Sequence, residues 1–150
     1  MGSITNPKTK IENKRFRVVV ADDSKPMRET IVKVLAPYFD VVGTAADGRT
    51  ALEIIQQLKP DIAVLDMSMP FKTGIEIAAE LKTSASEVKV VIISTHHDEV
   101  YIRAASDAGA LAYVVKTTLG DGLIPAIESA YAGTKTRGLI AESVGPKGRY

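Results

Sequence analysis

Asp22 and Asp23, Asp66, Ser94 and Lys116 each close a short apolar run, and together they have the composition of a site that handles a phosphoryl group. Two carboxylates at about 4 Å repel by roughly 4 kcal/mol at an effective dielectric near 20. A cluster of three therefore calls for a neutralising cation, and carboxylate oxygens suit a hard divalent ion such as Mg2+ or Mn2+. Lys116 supplies a second positive charge, suited to a phosphoryl oxygen or to pairing with Asp66 when no ligand is bound. Ser94 offers a hydroxyl to an anionic group. Carboxylate nucleophile, metal, lysine and hydroxyl make a set able to accept a phosphoryl group on Asp66. Singly, each has an ordinary explanation: a helix cap for Asp22 or Asp23, a solvated loop for Asp66, a turn for Ser94, the surface for Lys116. Their common register at the ends of apolar runs sets the group apart.

The elements that must position them follow from the spacing of apolar residues. Residues 16–21, 40–45, 61–65, 88–93 and 110–115 are short, β-branched and mostly not alternating, the pattern of strands covered on both faces. Between them Met27, Ile31, Val34 and Leu35, then Ala51, Ile55 and Leu58, then Gly74, Ile77, Ala78 and Leu81 recur at helical spacing. Tyr101, Ala104, Ala105 and Ala108, and finally Ile124, Ile127 and Tyr131, continue the pattern. Start and stop signals punctuate it: Ser24 or Asp23 before the first helix, Asp47-Gly48 before the second, Gly109 and Gly133 after the fourth and fifth. Pro125 is placed in the first turn of helix five, where its missing N–H costs little. The reading is an α/β chain of (βα)5 type, a flavodoxin-like three-layer sandwich whose parallel sheet has the common order 2-1-3-4-5. In that order strands one and three are neighbours, so Asp22, Asp23 and Asp66 converge at the carboxyl edge of the sheet, where such folds place their ligands.

Composition excludes several function classes. At 150 residues and 45% hydrophobic content the chain supports one good core. It has no cysteine, hence no disulfide framework, thiol catalysis or cysteine-based metal site. No apolar stretch approaches the roughly 18 residues of a membrane span, and no secretory pattern opens the chain, so a cytoplasmic location is expected. The net charge is +1, but residues 1–17 carry +4 and residues 134–150 carry +3, which leaves −6 on residues 18–133. An acidic body argues against direct nucleic-acid contact. The expected organisation is a flexible basic N-terminal arm over 1–15, one domain over 16–133, and a flexible tail or truncated linker over 134–150. His96-His97 are adjacent, poorly spaced to share one ion, and are the chain's two histidines.

The segments 18–24, 60–70 with Gly74, 91–94 and 109–116 resemble the receiver domain of two-component response regulators, and the similarity spans roughly 16–133. The resemblance implies that Asp66 is the phospho-acceptor, attacking a phosphohistidine on a sensor histidine kinase or phosphotransfer protein. It makes Asp22 and Asp23 the metal-binding pair, joined by Asp66 and the main-chain carbonyl of Ser68. It assigns Lys116 to the phosphoryl group, has Ser94 swing toward that group, and has Tyr113 change burial as the face made by helix four, strand five and helix five repacks. Tyr101, Ile102, Ala105, Tyr113 and Val114 are candidates for that face, which could also carry a homodimer. The chain would be a signalling switch, not an enzyme acting on an external substrate.

Thr95 stands where the family usually has a small residue, Thr117 replaces the frequent proline after Lys116, and Ser68 and His96 occupy places that tune phosphoryl lifetime in the family. The alternative is a pseudo-receiver, folded alike and acting by protein contact without phosphorylation. An aspartyl phosphohydrolase would need a second acid or base and a substrate cap. A flavin carrier would need a phosphate-cradling loop where Asp22-Asp23-Ser24-Lys25-Pro26 stands. The absence of proline after Lys116 and the residues from Ile124 to Gly133 resemble regulators with a C-terminal helix-turn-helix, so DNA contact is expected only through a further domain.

Overall fold

The computed structural model describes residues 15–132. Strands β1 (Arg17–Ala21), β2 (Asp40–Ala45), β3 (Ile62–Asp66), β4 (Lys89–Ser94) and β5 (Ala112–Val115) alternate with helices α1 (Lys25–Leu35), α2 (Gly48–Leu58), α3 (Gly74–Thr83), α4 (Glu99–Asp107) and α5 (Leu119–Tyr131). All strand pairs are parallel and the order is β2-β1-β3-β4-β5, as the sequence predicts.

Alternate residues of each strand feed two cores, which is why the strands read as unbroken apolar runs. Val19, Ala21, Ala63 and Leu65 pack with Ile55 of α2, Ile77 and Leu81 of α3 and Ala105 of α4. Val18, Val20, Ile62 and Val64 pack with Ile31 and Leu35 of α1 and Leu123, Ile127 and Ala130 of α5. Burying a Leu or Ile side chain contributes about 1.5–3 kcal/mol, so the two clusters set the sheet's position against both helical layers.

Local signals behave as expected at most ends. Ser24 caps α1, accepting from the Met27 N–H at 3.3 Å, and Asp47 caps α2, accepting from Thr50 at 2.7 Å. Gly109, beyond α4, has φ of +105°, a conformation glycine adopts without the strain of a Cβ. Asp66 and Ser94 are the last paired residues of β3 and β4, one residue further than the apolar runs suggest, because Asp66 pairs with Ile93 and Ser94 with Val115.

Pro125 is not in the first turn of helix five. A 3-10 turn over Lys116–Thr118 leads directly into α5 at Leu119, which places Pro125 inside the helix. Gly120 and Gly122, weak helix formers, hide this early start from propensity. Burial of Leu119 and Leu123 against the sheet overrides them. Gly133 and the two expected arms, apart from Arg15, lie outside the described residues. Arg15 donates to the carbonyls of Ala36 and Phe39 at 2.5 and 2.9 Å. Among the described residues no helix is long and apolar enough to cross a membrane.

Candidate functional site at the carboxyl edge of the sheet

Parallel pairing puts every strand's carboxyl end on one edge. Ala21 of β1 pairs with Leu65 of β3, so the next residues, Asp22 and Asp66, stand side by side. Carboxylate oxygens of Asp22, Asp23 and Asp66 lie within 4.8 Å of one another. Asp22 is fully buried and Asp66 is 4% exposed, whereas Asp23 faces solvent. Lys116, at the end of β5, reaches across to place Nζ 2.9 Å from Asp22 Oδ2 and 3.2 Å from Asp66 Oδ2. The structure thus brings together four residues whose numbers span 94 positions of sequence.

The electrostatics follow from burial. Desolvation, with the charge of Asp22 beside it, pushes the Asp66 carboxyl up to about 6, against the opposing pull of Lys116 and the Ser68 N–H. Burial pushes the Lys116 ammonium down, but its hydrogen bond to Asp22 and the charges of Asp66 and Asp22 outweigh it, and the net shift is upward. One ammonium therefore faces two buried carboxylates. Among the described residues Asp22 Oδ2, fully buried, has the Lys116 ammonium at 2.9 Å as its one partner. A buried oxygen so placed, in an all-carboxylate donor set with Asp23 open to water, fits a hard divalent cation.

The backbone around the cluster is held from both sides. Asp22 Oδ1 accepts from the Ser24 N–H at 2.8 Å, and Arg28 Nη1 donates to the Asp22 carbonyl at 2.8 Å. Asp66 Oδ1 accepts from the Ser68 N–H at 3.2 Å. Sequence reasoning passes over Arg28; its signal is a cation one turn inside α1, off the apolar stripe of Met27 and Ile31.

Ser94 is buried at the end of β4. Its hydroxyl donates to Met67 Sδ at 3.8 Å and accepts from the His96 N–H at 2.9 Å, so neither contact is to the carboxylates. Tyr113 is fully buried, and its hydroxyl donates to the His96 carbonyl at 2.7 Å. Burial pushes the Tyr113 phenol up, with the Ser94 hydroxyl opposing. The His96 ring stacks on Tyr101 of α4 at 4.4 Å. Ser94 is thus joined through His96 to Tyr113 and to the outer face of α4, a chain in which Met67 and the His96 backbone carry no sequence signal. Thr95 and both histidines are exposed, and Thr117 lies in the 3-10 turn. A cavity of about 880 Å³ at the amino edge, lined by residues including Pro60, Asp61, Val88 and Tyr131, contains none of these groups. Its size is no guide here, because the buried polar groups Asp22, Asp66 and Ser94 are at the opposite edge.

The family model for the response regulator receiver domain matches residues 18–128. The chain is 32% identical over 125 residues to the transcriptional regulatory protein DegU of Brevibacillus brevis, covering 82% of this chain and 53% of that protein. It is 36% identical over 115 residues to the transcriptional regulatory protein PdtaR of Mycobacterium tuberculosis, covering 76% and 56%. The chain therefore spans about half the length of the curated relatives it matches. Its structure resembles the signal receiver domain of the response regulator NarL from Mycobacterium tuberculosis, with a TM-score of 0.77 at 33% identity over 80% of this chain and 98% of that one. A LuxR-family two-component response regulator from Aurantimonas sp. SI85-9A1 gives 0.78 at 28% identity over 87% and 96%. With the strand order and the acidic carboxyl edge already described, these matches make the chain a member of the response regulator receiver domain family.

Proposed function

We propose that this chain accepts a phosphoryl group on Asp66 from the phosphohistidine of a sensor histidine kinase or phosphotransfer protein and uses it to reset the face built by α4, β5 and α5. The observation that carries the reading is the convergence of Asp22, Asp23 and Asp66 within 4.8 Å, with Lys116 Nζ between the two buried members. An Asp66 carboxylate oxygen attacks phosphorus, the P–N bond breaks, and the imidazole leaves with that electron pair and takes up a proton. Mg2+ or Mn2+, held by Asp22, Asp23, Asp66 and the Ser68 carbonyl, would neutralise the carboxylates and the phosphoryl oxygens. Lys116, its pairing to Asp66 exchanged for a phosphoryl oxygen, keeps the new dianion compensated. Ser94 must turn its O–H from Met67 to donate to that dianion, and the His96 N–H bonded to its oxygen shifts with it, which moves the segment between β4 and α4. Tyr113, bonded to the same segment, carries the change to the surface of α4.

The relatives named as transcriptional regulators support control of transcription as the output, exerted through a partner or a further domain. The acidic body of residues 18–133, at −6, argues against DNA contact by the receiver itself. The test is intact mass after incubation with acetyl phosphate, with and without Mg2+, on wild type and Asp66→Asn. A Mg2+-dependent gain of one phosphoryl group, lost in the variant, is expected. No gain, together with no binding of beryllofluoride, overturns the reading in favour of a pseudo-receiver.

A further inference from the structure

The segment that follows Asp66 is bonded within itself and packed against a helix that starts 18 residues earlier. Between β3 and α3 the chain runs through Ser68, whose carbonyl belongs to the proposed metal set, and turns at Phe71. That residue has φ of +73° and is 66% exposed, so no core contact explains its left-handed backbone. Such a conformation in a bulky residue persists only where the surroundings over-determine it. Within the loop the Lys72 N–H donates to the Pro70 carbonyl at 2.9 Å, closing a γ-turn over Phe71, and from outside the turn is braced by the first turn of α2. The Gly48 N–H donates to the Pro70 carbonyl at 3.0 Å. The Arg49 guanidinium lies 4.1 Å from the Phe71 ring centroid. The Lys72 carbonyl oxygen comes so near that a Cβ on Gly48 would stand 1.9 Å from it, far inside any real contact. Three successive residues of the loop are thus gripped by two successive residues of α2.

We propose that Gly48 and Arg49 are positioning residues of the phosphoryl-acceptor loop: the close approach allowed by Gly48 and the Arg49 clamp on Phe71 set where Asp66 and the Ser68 carbonyl stand. This rests on the reading of Asp66 as the acceptor. Neither residue contacts the carboxylates, so their influence passes through the backbone of Pro70–Lys72. A side chain at position 48 displaces the Lys72 carbonyl by more than an ångström, and a 1 Å misplacement at a reacting centre can cost about 100-fold in rate. Changes to groups that orient metal ligands cost about 10- to 100-fold in metal affinity.

The test measures the Mg2+ dissociation constant by calorimetry and the rate of phosphorylation by acetyl phosphate on the full chain, beside a thermal melt. The variants are Gly48→Ala, Arg49→Ala and Gly120→Ala. Gly120 has nothing within 4 Å of its would-be Cβ and serves as the glycine-to-alanine control, expected to match wild type in both measurements. Gly48→Ala is expected to weaken Mg2+ binding about tenfold or more and to slow phosphorylation in parallel. Arg49→Ala, which introduces no clash, is expected to weaken binding about two- to fivefold, the scale of one exposed cation–π contact. A melt lowered by Gly48→Ala with an unchanged dissociation constant would show a merely structural glycine and overturn the proposal. If Gly48→Ala does not fold, an Arg49→Ala protein with wild-type Mg2+ affinity overturns it instead. A wild type that neither binds Mg2+ nor takes up phosphate removes the acceptor reading itself, and this inference with it.

Discussion

Asp66→Asn, measured without metal, should gain stability relative to wild type as pH rises, although it removes one partner of an ion pair. The carboxyl of Asp66 is 4% exposed and is pushed from its ordinary 3.8 to about 6 by burial and by Asp22. Folding therefore takes up a proton between those two values. The group's contribution to stability is fully present below its unfolded pKa, near 4, and is lost as pH rises through about 6. At about 1.36 kcal/mol per pKa unit the loss reaches about 3 kcal/mol, most of it between pH 4 and pH 8. Asparagine has the shape and no charge. Its stability relative to wild type should thus rise by about 2–3 kcal/mol between pH 4 and pH 8. Whatever the substitution does to packing or to Lys116 independently of pH cancels in that difference. Urea denaturation in the presence of a chelator at several pH values measures it, as a relative midpoint shift of roughly 1 M or more. A relative stability that does not change with pH would show that Asp66 is not held uncomfortably ionised, and would refute the electrostatic account of the site.

Lys116→Ala leaves Asp22 and Asp66 buried against each other and should cost about 3 kcal/mol at pH 8 without metal; acetyl phosphate should still modify Asp66 by mass, while the NMR response of Tyr113 to phosphorylation is lost. Asp23 is exposed, so Asp23→Ala should leave stability within about 0.5 kcal/mol in the chelated protein. Calorimetry should nonetheless find Mg2+ binding abolished or severely weakened, because a third of the side-chain donor set is gone. Tyr113→Phe deletes the O–H that donates to the His96 carbonyl at 2.7 Å. A loss of about 1 kcal/mol is expected, read as a lower thermal midpoint.

Much of the molecule is legible in the amino-acid order. Alternation of β-branched runs with helical spacing is a local property, and it gives five strands and five helices with boundaries within a residue or two at most ends. Parallel pairing then forces every strand's carboxyl end to one edge, so polar residues closing the runs must meet. Asp22, Asp23, Asp66, Ser94 and Lys116 are readable for that reason. Pro125 is misplaced because Gly120 and Gly122 conceal the start of α5, which burial of Leu119 and Leu123 decides.

What only the tertiary structure decides is which partner each of those groups takes. Lys116 Nζ sits between two aspartates on different strands, at 2.9 and 3.2 Å, and it takes an actual sheet twist and helix packing to set those distances. The hydroxyl of Ser94 turns to Met67 and His96, Arg28 reaches the carbonyl of Asp22, and the Lys72 carbonyl rests against Gly48. None of these pairings follows from spacing, because hydrogen bonds and close contacts depend on fractions of an ångström between segments far apart in the chain. Residue type and period determine that an acidic edge exists; the docking of α1, α2 and β5 around it determines how its charges are shared.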